Sequence, residues 1–166
     1  SAWSGQPRVP LCLEGHGRED LPDGLDHSRT TGWFTTTYPV EFNVGATTLG
    51  RCIKEVKETL RAVPGKGLGF GLWKQGAGVA ATAIGRPEMR FNYLGHFGGA
   101  APGVFHLASE DPGVVIDPDG LPGFEIEWVG LVERDVLEFT AAYNRHRFDA
   151  TAMVSLAERF EAELIA

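Results

Sequence analysis

The chain has 166 residues, 43% of them apolar and 22% charged, with a formal net charge of −7. This is ordinary globular usage at a length that buries a core. The acidic balance argues against nucleic acid or an anionic membrane as the main partner, since both need basic patches and Asn144-Arg-His-Arg147 is too short to supply one. No apolar run reaches transmembrane length, and no charged segment followed by an apolar one opens the chain, so neither a membrane span nor a signal peptide is expected. Cys12 and Cys52 read as reduced thiols of a cytoplasmic protein. The 22 glycines and 10 prolines cluster around 64–78, 95–103 and 111–123, and point to tight turns and connections that carry function.

In chain order, Val9 to Glu14 reads as a short apolar strand. A second extended segment runs from about Thr31 to Val44, rich in Thr, aromatic and Val residues, with Pro39 expected to bend or interrupt it. Thr47 or Thr48 starts a helix in which Leu49, Ile53, Val56, Leu60 and Val63 recur at helical spacing, and Pro64-Gly65 ends it. The run from Gly67 to Gln75 fits a short helix and a glycine-rich loop equally. Glu88 to Leu94 reads as a strand. Gly123–Leu131 and Arg134–Tyr143 read as an antiparallel hairpin, with Phe124, Ile126 and Trp128 on one face of the first strand and Leu137, Phe139, Ala141 and Tyr143 on one face of the second. A last helix begins near Asp149 or Thr151, with Asp149 as N-cap and Met153, Leu156, Ala157, Phe160 and Leu164 as its apolar stripe. The fold class is α+β, an α/β two-layer sandwich in which helices pack on a mixed sheet.

Glu14-Gly-His-Gly-Arg-Glu19 places two carboxylates, a His and an Arg within six residues at the end of a strand. Glu14 with Arg18 beside it is a reasonable acid/base device, and a polar turn with a surface ion pair is the other reading. Pro64-Gly-Lys-Gly-Leu-Gly-Phe-Gly71 is not a phosphate loop. Lys66 is followed by Gly67 instead of Ser or Thr, and a helix instead of a strand precedes the run. Asp117-Pro-Asp-Gly120 reads as a simple turn. No pair of histidines has zinc-ligand spacing, and no metal site is expected. Asn92, inside the apolar strand Phe91-Asn-Tyr-Leu-Gly95, needs a hydrogen-bond partner or a ligand.

Read in order, these pieces resemble a known family. Glu14-Gly-His-Gly-Arg-Glu19, Arg29-Thr-Thr-Gly-Trp-Phe-Thr35 with Tyr38-Pro39, Pro64-Gly-Lys-Gly-Leu-Gly-Phe-Gly71 and Phe91-Asn-Tyr-Leu-Gly95 match the signatures of epimerization domains of non-ribosomal peptide synthetases. Thr31, Phe70 and His96 stand where that family more often has Val, Tyr and Gln or Arg. The family's His-His-x-x-x-Asp-Gly motif is absent, so the resemblance implies that residues 1–166 form the C-terminal subdomain of such a domain, without its N-terminal subdomain. The implied fold is one lobe of a chloramphenicol acetyltransferase-like architecture, with the active site in a tunnel between the lobes.

The resemblance further implies L-to-D epimerization at Cα of an aminoacyl or peptidyl thioester, an isomerase step in antibiotic or siderophore biosynthesis. The substrate would hang on the 4′-phosphopantetheine arm of a peptidyl carrier domain, with no cofactor bound directly. Glu14 is implied as one acid/base, a His of the absent lobe as the other, and Arg18 as the group that orients Glu14. Asn92 and Tyr93 match positions that line the site. His16, Trp33 and Phe34 fall in the matched runs as substrate-binding candidates, with a structural role also weighed for His16. The alternatives are condensation-type peptide-bond formation and a non-catalytic docking module or proteolytic fragment. The isolated lobe is expected to be poorly active, and its exposed apolar face to favour self-association.

Overall fold

The computed structural model describes residues 5–19, 24, 26–45, 48–76, 87–97, 110, 113 and 123–165. Among these, the elements in order are strand β1 (Arg8–Gly15), strand β2 (Thr36–Asn43), helix α1 (Leu49–Arg61), a short 3₁₀ turn (Pro64–Gly67), helix α2 (Phe70–Gly76), strand β3 (Met89–Phe97), strand β4 (Ile126–Glu133), strand β5 (Val136–Tyr143) and helix α3 (Ala150–Ile165). The strands form a mixed sheet in the order β2-β1-β3-β4-β5, with β1 antiparallel to β2 and parallel to β3, and β4 antiparallel to β5. The fold is therefore α+β, as the patterning predicts. The chain divides into two compact units, Ser1–Asn92 and Tyr93–Ala166.

In the first unit, strand alternation separates two faces. Leu13, Val40 and Phe42 form the buried centre of one face, with Leu11, Tyr38, Phe91, Val56 of α1 and Val63 just beyond it packed around them. The register explains the grouping, since Leu11 faces Val40, Val9 faces Phe42 and Leu13 faces Phe91. Cys12 and Glu14 point to the other face. Pro39 does not interrupt its strand. It sits inside β2, opposite Cys12. β2 is an edge strand of the described sheet, the position in a sheet where proline is tolerated. Residues 31–35, expected to be extended, precede the strand as irregular backbone.

Helix α1 starts where its cap dictates: the Thr48 hydroxyl accepts from the Arg51 backbone N–H at 3.4 Å. It stops at Arg61, and Val63, the residue before Pro64, is extended with φ −66 and ψ 117. The glycine-rich run that fitted both helix and loop contains both. Gly65 and Lys66 take left-handed dihedrals, with φ of 51 and 49, and α2 follows from Phe70. Gly67 is buried at φ +84 with the Tyr38 ring lying where a Cβ would go. The run is a close-packed turn, in keeping with its not being a phosphate loop.

In the second unit, β4 and β5 pair through a two-residue turn at Arg134-Asp135, both with positive φ (49 and 64). This is the turn handedness that suits the twist of a hairpin. Ile126 and Trp128 are buried on one face, and Phe160 of α3 packs there. Its ring centroid lies 4.7 Å from Trp128 and 4.9 Å from Phe139, the latter edge-on. Asp149 caps α3 as predicted, its Oδ1 accepting from the Ala152 N–H at 2.8 Å. Leu164, assigned to the apolar stripe, is half exposed. The Asp117–Gly120 turn lies outside the described residues.

Candidate active site

Glu14 is the penultimate residue of β1, on the face opposite the α1-covered core. Across the parallel ladder, Cys12 faces Arg90 and Leu13 faces Phe91. Arg90 and Asn92 thus share the Glu14 face of β3. The Asn92 Nδ2 donates to Glu14 Oε2 at 2.6 Å, and the Arg90 Nη1 lies 2.8 Å from Glu14 Oε1. The Glu14 and Arg90 side chains retain 16% and 26% of their exposure. A carboxylate held at both oxygens in a partly dried setting has a defined orientation and interacts strongly with whatever approaches it.

The neighbours of Glu14 in sequence do other work. Arg18 does not orient Glu14, as the signature run suggested. Its guanidinium donates to the carbonyls of His27 and Thr30, both at 2.9 Å, and lies 4.1 Å from the Phe34 ring centroid. It fastens the loop between β1 and β2. The arginine on Glu14 is Arg90, seventy-six positions further along. Sequence reading passed over it, although it shares a strand face with Asn92 and interrupts an apolar run, and a charge placed so calls for a partner.

Gly17 explains why the run turns so sharply: it is buried at φ +68, and a Cβ there would overlap the Phe34 carbonyl. His16 is exposed. Its Nδ1 accepts from the Arg18 backbone N–H at 3.0 Å, and its Nε2 lies 3.1 Å from Glu19 Oε1. The other Glu19 oxygen meets the Lys66 Nζ at 2.7 Å. His16 and Glu19 thus tie the signature run to the glycine-rich turn, which supports the structural role weighed for His16.

Phe34 is half-buried between Arg18 and His27, whose ring stacks on it at 5.7 Å. Trp33 projects into solvent with 91% exposure. Tyr93, next in sequence to Asn92, points to the other side of β3 and is half exposed. Among the sequence-predicted residues, Glu14 and Asn92 are therefore in direct contact, while Arg18, His16, Trp33 and Phe34 belong to the adjoining loop. An apolar groove of about 690 Å³ lined by Tyr38, Ile53, Val56 and Leu60 runs along α1, on the face away from Glu14. It is separate from the Glu14–Asn92 contact.

With this geometry in hand, comparison with known proteins gives the chain its class. It belongs to the condensation domain family, which matches residues 1–166. Its backbone is similar to the crystal structure of the epimerization domain from the third module of tyrocidine synthetase B, with a TM-score of 0.85 and 31% identity over 99% of this chain and 37% of that one. A condensation domain of the CDA synthetase shares the fold at 16% identity, with a TM-score of 0.58 over 95% of this chain and 34% of that one.

Among curated relatives, surfactin synthase subunit 2 of Bacillus subtilis (strain 168) is 32% identical over 98% of this chain. Chondramide synthase cmdD of Chondromyces crocatus is 37% identical over 96%. The chain spans 5% and 4% of those two relatives. No helix among the described residues is long and apolar enough to cross a membrane.

Proposed function

We propose that residues 1–166 act as the C-terminal lobe of a peptide-synthetase epimerization domain, and that Glu14 exchanges the α-proton of a carrier-bound aminoacyl or peptidyl thioester. The observation that carries this reading is the Glu14–Asn92 contact at 2.6 Å, which joins two of the four signature runs across 78 positions. The likeness to an epimerization domain at 31% identity over 99% of the chain supports it.

The chemistry follows from the substrate. A thioester acidifies its α-proton because the electron pair left on Cα delocalises into the carbonyl as an enolate. Inversion then needs a proton removed on one face and one returned on the other, and therefore an acid/base group on each side. Glu14 serves one face. The second group, a His of the absent lobe, serves the other. Asn92 holds Glu14 with one of its two amide N–H groups, and the other is assigned to the developing enolate oxygen. The thioester arrives on the 4′-phosphopantetheine arm of a peptidyl carrier domain, so the domain needs no directly bound cofactor.

The test is Glu14→Gln in the complete domain, which keeps the shape of the side chain and removes its basicity. Exchange of the α-proton with deuterated solvent and the D/L ratio of the product are expected to fall by roughly 10²–10⁴-fold, with loading of the carrier unaffected. A variant that still exchanged its α-proton at the normal rate would exclude Glu14. Formation of a new amide with the stereocentre unchanged would identify a condensation enzyme instead.

A further inference from the structure

The two oxygens of Glu14 are held by donors of different kinds. Oε1 faces the Arg90 guanidinium at 2.8 Å, and Oε2 accepts from the Asn92 amide at 2.6 Å. Arg90 reaches Oε1 because β3 runs parallel to β1 in a register that sets Arg90 beside Cys12, one same-face step short of Glu14. With 26% and 16% of their side-chain surfaces exposed, Arg90 and Glu14 are screened less by salt than a surface pair.

The difference between the donors matters for a proton. A guanidinium only donates and does not lose its charge. An Asn amide N–H is a neutral donor, so its bond to a carboxylate is the weaker of the two. A proton arriving on Oε1 would meet an Arg90 N–H and disrupt a charge-assisted bond, roughly twice as strong as a neutral one. A proton arriving on Oε2 leaves the Arg90 contact intact and displaces only the weaker, neutral Asn92 donor. Resting on the acid/base reading of Glu14, the geometry points to Arg90 as a positioning residue that keeps Oε1 occupied and leaves Oε2 as the proton-exchanging oxygen. In that step the Cα–H bond of the thioester breaks, its proton bonds to Oε2, and the electron pair passes into the thioester carbonyl as an enolate. The same oxygen returns the proton in the reverse direction.

The experiment compares Arg90→Met and Arg90→Lys with Glu14→Gln in the complete domain, supplied with an aminoacyl-loaded carrier domain. Arg90→Met is expected to lower kcat on the order of a hundredfold through misplacement of the base, with KM held within about twofold. Arg90→Lys keeps the charge without the fork and is expected to recover part of that loss. Normal kcat in Arg90→Met beside an inactive Glu14→Gln would overturn the role of Arg90 and leave Glu14 in place. A loss confined to KM, or one that lysine does not relieve, would also overturn it. Normal turnover in Glu14→Gln would instead remove the acid/base reading on which the inference rests.

Discussion

At the scale of single residues, the environment of a side chain is set by its strand face more than by its sequence neighbours. Glu14 and Arg18 are four positions apart, yet one meets Arg90 and Asn92 across the parallel ladder and the other secures a loop. Tyr38 shows a second consequence of placement. Burial beneath the glycine-rich turn pushes its phenol above the ordinary value of 10.0, and the nearby Glu19 charge adds to the shift while Lys66 opposes it. The folded protein therefore holds the Tyr38 proton more tightly than the unfolded chain does. Its contribution to stability is complete below pH 10 and is lost as pH rises from there through the folded-state value. Denaturation midpoints measured between pH 8 and 11 are expected to fall more steeply with pH in the native protein than in Tyr38→Phe. Parallel curves for the two proteins would contradict this.

At the scale of elements, helix limits were legible because caps are local chemistry. Thr48 and Asp149 each satisfy a backbone N–H three residues on; Asp149 was identifiable from the sequence, and Thr48 as one of two alternatives with Thr47. The glycine-rich turn was harder to read, because what requires Gly67 is the ring of Tyr38, twenty-nine positions earlier. Gly67→Ala has to fit a Cβ into that ring at positive φ, combining overpacking with left-handed strain. The expected cost is on the order of 3 kcal/mol, read as a lower urea midpoint. Gly65→Ala is the control, since a Cβ there meets nothing within 4 Å and only the φ of +51 opposes it. Equal losses at the two positions would show that packing against Tyr38 contributes nothing.

At the scale of the whole molecule, the chain corresponds to 37% of the tyrocidine synthetase epimerization domain it is similar to. Inverting a stereocentre needs proton donors and acceptors on two faces, and the proposed site supplies one carboxylate. Produced alone, the chain is accordingly expected to leave a carrier-bound thioester unchanged. The complete domain is expected to bring D and L forms toward equilibrium, followed by chiral analysis of the released amino acid. Robust turnover by residues 1–166 alone would overturn the requirement for a second lobe.

The sequence by itself determined the α+β class, the start of α1 to within one residue, the cap of α3, the hairpin and the naming of Glu14 and Asn92 as candidates. Each rests on short-range pattern or on a signature run. Tertiary structure alone decided that Arg90 replaces Arg18 at the Glu14 carboxylate, that Pro39 is harmless on an edge strand, and that Glu19 and Lys66 join two distant turns. The physical reason is the same in each case. Periodicity along a chain specifies which face a side chain takes, but parallel pairing of β1 with β3 brings together residues more than seventy positions apart, and no local rule sets that register.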